Sequence, residues 1–173
     1  GCVDSVQQVV FVNPLPLAGF SSTTVCIGNT TSFTDLSSVS SGNLINWNWN
    51  FADPNSGANN ISTLQNPSHT YTASGTFPVV LTVTSDSGCQ STTVVPVNVL
   101  APPVAAFSFQ DICENASAQF NNNSTGGQQW YWTFGDGNSS TLSDTVHVFL
   151  YPGTYLVNVT VTTEGGCSAT NIS

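Results

Sequence analysis

Two histidines, His69 and His147, are the side chains best suited to acid–base chemistry, and each stands shortly before an aromatic residue and a Gly-Thr pair. Imidazole often serves as a general acid or base near neutral pH. A catalytic site also needs a nucleophile, an orienting carboxylate and oxyanion donors, and no such set accompanies either histidine. We therefore predict that the histidines bridge loops, that catalytic residues are absent and that the chain is not an enzyme.

Two aspartates could offer oxygens to a hard cation, Asp53 together with Asn55 and Asp136 together with Asn138. Calcium takes six to eight oxygen ligands, usually with several carboxylates, whereas each of these turns has one aspartate. An aspartate in a turn commonly bonds its own backbone. We therefore predict that each aspartate stabilises its own turn, and we expect no metal and no cofactor.

The composition restricts the partners of the chain. Lys and Arg are absent, and the formal net charge is -9. Nucleic-acid binding depends mostly on neutralising phosphates with Lys and Arg, and anionic lipid headgroups are bound in the same way. No run of 18 apolar residues occurs that could span a bilayer. We expect no nucleic-acid partner and no membrane insertion.

A short aromatic stretch occurs twice, at 47–55 and at 130–138. In each copy aromatic residues fall on every second position and a turn follows, which predicts a β-strand with one face on a core. We expect Ile45, Trp47, Trp49 and Phe51 to share that face in the first copy. The tryptophans should point inward, which leaves Tyr131 as the one residue between them that could stack on a sugar.

The duplication predicts two all-β domains, residues 15–101 and 102–173. Residues 1–14 resemble the stretch after Gly88-Cys89, so we expect them to be the last strand of a preceding or neighbouring domain. The second domain is expected to lack its own last strand. Either the chain is a segment of a longer array, or neighbouring chains exchange strands, since natural proteins seldom leave a sheet edge bare.

The repeated motifs resemble those of PKD domains. The motif core consists of a Trp, a Phe and an Asp in each copy, followed by a His and a Gly-Thr pair: Trp49, Phe51, Asp53 and Trp132, Phe134, Asp136. The resemblance implies two immunoglobulin-like β-sandwiches in tandem and an extracellular role as a spacer, adhesive or contact module. Both copies lack the family's usual Asp between Trp and Phe, and the first has Ala52-Asp53-Pro54 in place of Gly-Asp-Gly, which argues against a calcium-binding variant.

The cysteines occupy corresponding turns in the repeats: Cys26 and Cys113 before the second strand, and Cys2, Cys89 and Cys167 before the last. This placement favours disulfides over metal, since no Cys-x-x-Cys occurs. In an immunoglobulin-like sandwich these two turns lie about 20 Å apart, too far for a disulfide. We favour Cys26 with Cys167 across the domain junction over the within-domain pairs Cys26–Cys89 and Cys113–Cys167. Cys2, Cys89 and Cys113 would then pair outside the two domains.

Glycosylation candidates are numerous. The acceptor triplet Asn-x-Ser/Thr occurs slightly more often than chance predicts. An Asp-Ser/Thr-apolar pattern that resembles a bacterial O-glycan acceptor occurs twice. The candidates are Asn29, Asn60, Asn115, Asn122, Asn123, Asn138, Asn158, Asn171, Ser5 and Thr145.

Together these patterns favour a non-enzymatic structural module of an extracellular or cell-surface fibre or adhesin, linked head to tail by strand exchange or disulfides. Its expected partners are copies of itself, further PKD-like repeats and glycans. The alternative is an accessory carbohydrate- or protein-binding spacer module of a secreted hydrolase. Fold alone does not decide between the two.

Overall fold

The computed structural model describes residues 6–173, so the predictions for Cys2 and Ser5 lie outside the described residues. Fifteen strands and one 3-10 helix, Pro54–Asn60, are assigned in this part of the chain. The strands are β1 (Phe20–Ser22), β2 (Val25–Cys26), β3 (Thr30–Asp35), β4 (Leu44–Asn50), β5 (Ile61–Ser62), β6 (Ser68–Thr70), β7 (Gly75–Ser85), β8 (Gln90–Leu100), β9 (Phe107–Ser108), β10 (Ser117–Asn122), β11 (Gln129–Thr133), β12 (Ser139–Ser140), β13 (Thr145–Val148), β14 (Asn158–Thr162) and β15 (Ser168–Ile172). Within residues 6–173 there is no helix with the length and hydrophobicity of a membrane span.

The chain forms two compact units, which confirms the predicted all-β fold of tandem sandwiches. Among the described residues, the first unit comprises 6–23, 30–69 and 76–97, and the second comprises 24–29, 70–75 and 98–173. The second unit therefore includes a short loop that comes early in the chain and contains Cys26.

The first unit contains two sheets, one of order β1-β3-β6 and one containing β8-β7-β4-β5. Alternation along β7 buries Val79, Leu81 and Val83, and Trp49 of β4 is opposite Leu81. The side-chain period of a strand places these residues on one face. The last two residues of β8, Val99 and Leu100, belong to the second unit and pair in parallel with β2.

The second unit repeats the arrangement, with sheets of order β13-β10-β9 and β12-β11-β14-β15. Trp132 of β11 is opposite Val159 of β14, as Trp49 is opposite Leu81. The core contains Phe120, Trp132, Phe134, Val159 and further small apolar residues. Phe107 packs edge to face on Trp132, and Phe120 makes tilted ring pairs with Trp132 and Phe134, which adds to the stabilisation from burial.

One prediction about the first aromatic strand is wrong. Ile45 was expected on the core face, but its side chain is 52% exposed, whereas Trp49 and Phe51 are buried. The register between β4 and β7 shifts between Leu44 and Asn46, and an extra residue in one strand interrupts the period of two. The core face therefore includes Trp49 and Phe51, with Trp47 half-buried.

One expectation about the terminal strands stays a prediction and another needs correction. Residues 1–14 were expected to be the last strand of a preceding or neighbouring domain; of these, residues 6–14 are not assigned to a strand, and Val6, Val10 and Val12 are at least 80% exposed. A strand is held by ladder bonds to a partner, and this segment has no strand partner within the described residues. The last strand expected to be missing from the second domain is present in short form: β15 has five residues, whereas β8 has eleven.

Candidate functional site

In the first repeat the histidine of the motif contacts the aspartate of the same motif. Asp53 lies in the turn after β4 and His69 lies in β6, and Nε2 of His69 is 3.3 Å from Oδ2 of Asp53. Both residues are buried. The imidazole stacks on the ring of Phe51 with centroids 4.5 Å apart and planes 9° apart. The three side chains join the end of β4 to the strand of the opposite sheet.

The second repeat forms the same cluster from Phe134, Asp136 and His147. Nε2 of His147 is 2.7 Å from Oδ2 of Asp136, and the imidazole stacks on Phe134. Burial raises the pKa of Asp136, but hydrogen bonds from the side chain and backbone of Asn138, and then from His147, outweigh it and lower the pKa to about 2. The carboxylate is therefore ionised at neutral pH and accepts a hydrogen bond from His147.

These histidine–aspartate pairs supply two of the components of a catalytic triad. No hydroxyl or thiol donor bonds His147 among the described side chains, and one face of its ring is covered by Phe134. The pair therefore joins the β11 turn to β13. The histidines and the aspartates were predicted to act separately, the first as bridges between loops and the second within their own turns. Their common order, an aspartate in the turn and a histidine in the second strand after it, was the signal that pairs them.

A further carboxylate, that of Asp35, accepts hydrogen bonds from the side chains of Trp47 and Gln65. Trp47 Nε1 donates to its Oδ2 over 2.7 Å, and Gln65 donates to the same atom over 3.1 Å. Burial raises the pKa of Asp35, but hydrogen bonds from Ser37, Gln65 and Trp47 lower it by more, so the net shift of the pKa is downward. No group of three or more His, Cys, Asp or Glu within residues 6–173 is placed to hold a metal ion.

The repeated tryptophans are core residues. Trp49 and Trp132 are fully buried, and their Nε1 atoms donate to the carbonyls of Leu64 and Leu142, each over 2.9 Å. Each indole therefore buries its apolar surface and satisfies its single donor. Tyr131 points outward with 51% of its surface exposed, and a sugar contact at this residue stays a prediction.

The disulfide forms between Cys26 and Cys167, the pair favoured from the sequence, and its Cα atoms are 5.6 Å apart. Cys26 ends β2, and β2 pairs in parallel with the end of β8. Cys167 is buried directly before β15. Cys89 and Cys113 are free thiols in the described chain, the first half-buried and the second exposed. The within-domain pairs Cys26–Cys89 and Cys113–Cys167 are therefore not formed.

The glycosylation candidates divide by exposure. Four asparagines are exposed: Asn29, Asn115, Asn123 and Asn138. Four are half-buried: Asn60, Asn122, Asn158 and Asn171. Thr145 needs correction as an O-glycan candidate, because it is 4% exposed and its hydroxyl donates to Ser140. A glycan at Thr145 would require that buried hydroxyl to reach solvent. For the exposed asparagines glycosylation stays a prediction.

The second unit contains an open groove of about 610 Å3. Its apolar lining includes Phe109, Ile112, Phe120, Phe149, Tyr155 and Val157. Ser173 also lines the groove, and its backbone exchanges two hydrogen bonds of 3.0 Å with Val157. The sequence predicts an open sheet edge in this domain but does not identify the residues that line the groove.

Comparison with known proteins identifies the family to which the two repeats belong. The family model for the PKD domain matches the chain twice, over residues 12–99 and 100–173. Among solved structures, the PKD1 domain of Vibrio anguillarum Epp is 32% identical, with 53% of this chain and 100% of that chain covered at a TM-score of 0.46. The PKD1 domain of the Vibrio cholerae metalloprotease PrtV is 28% identical, with 51% and 98% covered and a TM-score of 0.42.

A search of curated proteins found no match. The two family matches cover nearly all of the chain and coincide with the two repeats of the Trp, Phe, Asp and His cluster. The chain therefore belongs to the PKD domain family and contains two copies of that domain.

Proposed function

We propose that the chain is a structural, non-catalytic module of an extracellular or cell-surface fibre or adhesin, in which PKD sandwiches are linked head to tail. PKD domains are non-catalytic modules, and disulfides persist in oxidising compartments. The observation that supports the proposal best is the Cys26–Cys167 disulfide, because it joins the segment matched by the first PKD domain to the segment matched by the second.

This disulfide determines how the chain would carry tension. The two sulfurs close a loop in which the cysteines are 141 positions apart, and the loop contains most of both sandwiches. A force applied to the two ends of the chain passes through the covalent bond and bypasses the loop. Strand pairing and core packing inside the loop are then protected from the load, which suits a module that must keep its fold under tension.

The free thiols extend the same arrangement to further modules. Cys113 occupies in the second repeat the place of Cys26 in the first, and Cys89 occupies the place of Cys167. By repetition of the observed pairing, Cys113 of one module would join the Cys89 of the next. Two thiols would lose two protons and two electrons to an oxidant such as oxidised glutathione, which would be reduced to two glutathione thiols.

The test uses native material, isolated without reductant after the thiols have been blocked. The chain has no Lys or Arg for trypsin, so chymotrypsin is used, and aromatic residues and leucines separate the cysteines into different peptides. We expect Cys26 joined to Cys167, Cys113 joined to Cys89 of another module, and binding of an antibody against the protein to intact cells. Blocked free thiols at Cys89 and Cys113, on a protein that the antibody reaches only after the cells are permeabilised, would contradict the proposal. A catalytic domain covalently joined to the chain would instead support the accessory module of a hydrolase.

A further inference from the structure

A groove and two neighbouring segments of the second unit lack the strand pairing that the corresponding parts of the first repeat have. The groove described above is open beside Ser173. Residues 153–157 are not assigned to a strand, although the corresponding residues 75–79 begin β7 in the first repeat. Ile112 and Cys113 are also outside the assigned strands, although the corresponding Val25 and Cys26 form β2.

In the first repeat the final half of β8 supplies this pairing and fills the place that corresponds to the groove. Val97 and Val99 of this half are 2% and 4% exposed. The same half pairs with β7 on one side and with β2 on the other, where Val25 is opposite Val99 and Cys26 is opposite Leu100. The short β15 ends at Ile172, which corresponds to Val94, so it supplies none of these contacts.

Residues 6–13 carry the sequence that fits this place. The same spacing separates Gly1-Cys2 from Gly88-Cys89, Phe20 from Phe107, and Cys26 from Cys113. The isolated bridges Leu17–Ser38 and Val104–Thr125 follow it as well. By this spacing Val10 and Val12 correspond to Val97 and Val99, the two valines that are buried in the first repeat.

The exposure of this segment supports the assignment. Val10 and Val12 are 81% and 90% exposed, and Phe11 between them is 85% exposed. Monomeric proteins seldom leave such a run of large apolar side chains in water unless it meets a partner. The segment also has no charge, so it brings no unpaired charge into the apolar groove.

We propose that residues 9–13 of a second copy of this chain enter the open groove as a strand that continues the line of β15. This inference rests on the proposed head-to-tail linkage. The donated strand extends the Val157–Ser173 ladder, so that Val10 is opposite Tyr155 and fills the groove. On its other edge it pairs in parallel with the segment before Glu114, so that Asn13 lies beside Cys113, as Leu100 lies beside Cys26.

The register supplies a direct test in the full chain. In a Cys2→Ser, Cys89→Ser background, Cys113 is the remaining free thiol, and Asn13→Cys places a second thiol beside it in the neighbouring copy. Adjacent strands lie about 4.8 Å apart, within the Cα separation that a disulfide bridges. Gln8→Cys is the matched control, because five residues of strand move the thiol about 16 Å away from Cys113.

We expect mild oxidation with oxidised glutathione to convert the Asn13→Cys chain into dimers and longer ladders on a non-reducing denaturing gel. The Gln8→Cys chain should give at most about one tenth of that yield. Adding Val10→Asp, which places a carboxylate in the groove, should reduce the yield at least about tenfold, whereas Val9→Asp on the opposite face should leave it unchanged. Thermal unfolding of all variants serves as the folding control, since residues 6–14 lie outside the assigned strands.

Equal cross-linking of the Asn13→Cys and Gln8→Cys chains, or cross-linking that survives Val10→Asp, would overturn the inference. A lack of cross-linking at Asn13→Cys would also overturn it. The proposed function would then still stand if native Cys113 is found joined to Cys89 of another module on the cell surface. The two failures are therefore distinguishable.

Discussion

The imidazole of His147 lies almost parallel to the ring of Phe134, with centroids 4.1 Å apart and an angle of 6° between the planes. His69 and Phe51 repeat this stack in the first unit. In both units the histidine also bonds an aspartate of the turn that follows the aromatic strand. The repeated cluster thus joins the two sheets of each sandwich at the same place.

The depressed pKa of Asp136 predicts an acid-sensitive contribution to stability. Its pKa falls from 3.8 in the unfolded chain to about 2 in the fold, so the stabilisation is fully present above pH 4 and is lost as the pH falls through 2. We expect Asp136→Asn to lower the free energy of unfolding by about 1 kcal/mol at neutral pH, since partial exposure screens the interaction. The difference from the wild type should vanish near pH 2. Urea unfolding as a function of pH measures it, with Asp111→Asn in an exposed segment as the control, and a difference that does not change with pH would contradict the assignment.

Gly135 and Gly137 form a matched pair for the turn that carries Asp136. Both have positive φ, 79° and 93°, but an added Cβ at Gly135 would lie 2.8 Å from the carbonyl oxygen of Leu156, whereas nothing lies within 4 Å at Gly137. We expect Gly137→Ala to cost about 1 kcal/mol through its φ alone and Gly135→Ala to cost at least about 2 kcal/mol. Thermal unfolding of the two variants compares them. Equal losses would mean that Leu156 does not approach the turn as described.

Trp132 should be far more important to stability than its neighbour Tyr131. Trp132→Phe leaves a cavity in the core and removes the donor to the Leu142 carbonyl, and we expect a loss of about 2 to 4 kcal/mol. Tyr131→Ser on the outer face should change stability by less than about 0.5 kcal/mol. Denaturant unfolding followed by fluorescence provides both values. A large loss for Tyr131→Ser would show that its face is covered.

Glycan occupancy is expected to follow exposure. Asn29 and Asn115 lie in exposed turns, while the Nδ2 of Asn158 donates to Thr133 inside the sheet and Thr145 is buried. We expect glycopeptides from native material to contain the first two sites and to lack Asn158 and Thr145, because the transferring enzyme must reach the acceptor atom. Glycopeptide mass spectrometry decides this. An intact mass equal to that of the bare polypeptide would remove the glycosylation hypothesis.

Local patterns predicted the sandwiches because their cores depend on strand alternation. The aromatic period identified Trp49 and Trp132, and the corresponding turns identified the Cys26–Cys167 pair. Ile45 was misplaced because a bulge is a property of two paired strands and leaves no mark in one of them. The histidine–aspartate pairs were missed because the aspartate lies in a turn and the histidine in a strand of the other sheet. Thr145 was misjudged because its acceptor-like sequence says nothing about burial.

The most direct test of the structural role is a pulling experiment on single molecules held at the two ends of the chain. With the disulfide intact, tension should extend only the residues before Cys26 and after Cys167. Reduction should release about 480 Å of additional contour length, because the cysteines are 141 positions apart and each residue extends by about 3.4 Å. A Cys26→Ser chain should show the long extension in both conditions, and a Cys113→Ser chain should behave like the wild type. The same long extension of the wild type before and after reduction would contradict the claim that Cys26–Cys167 carries the load.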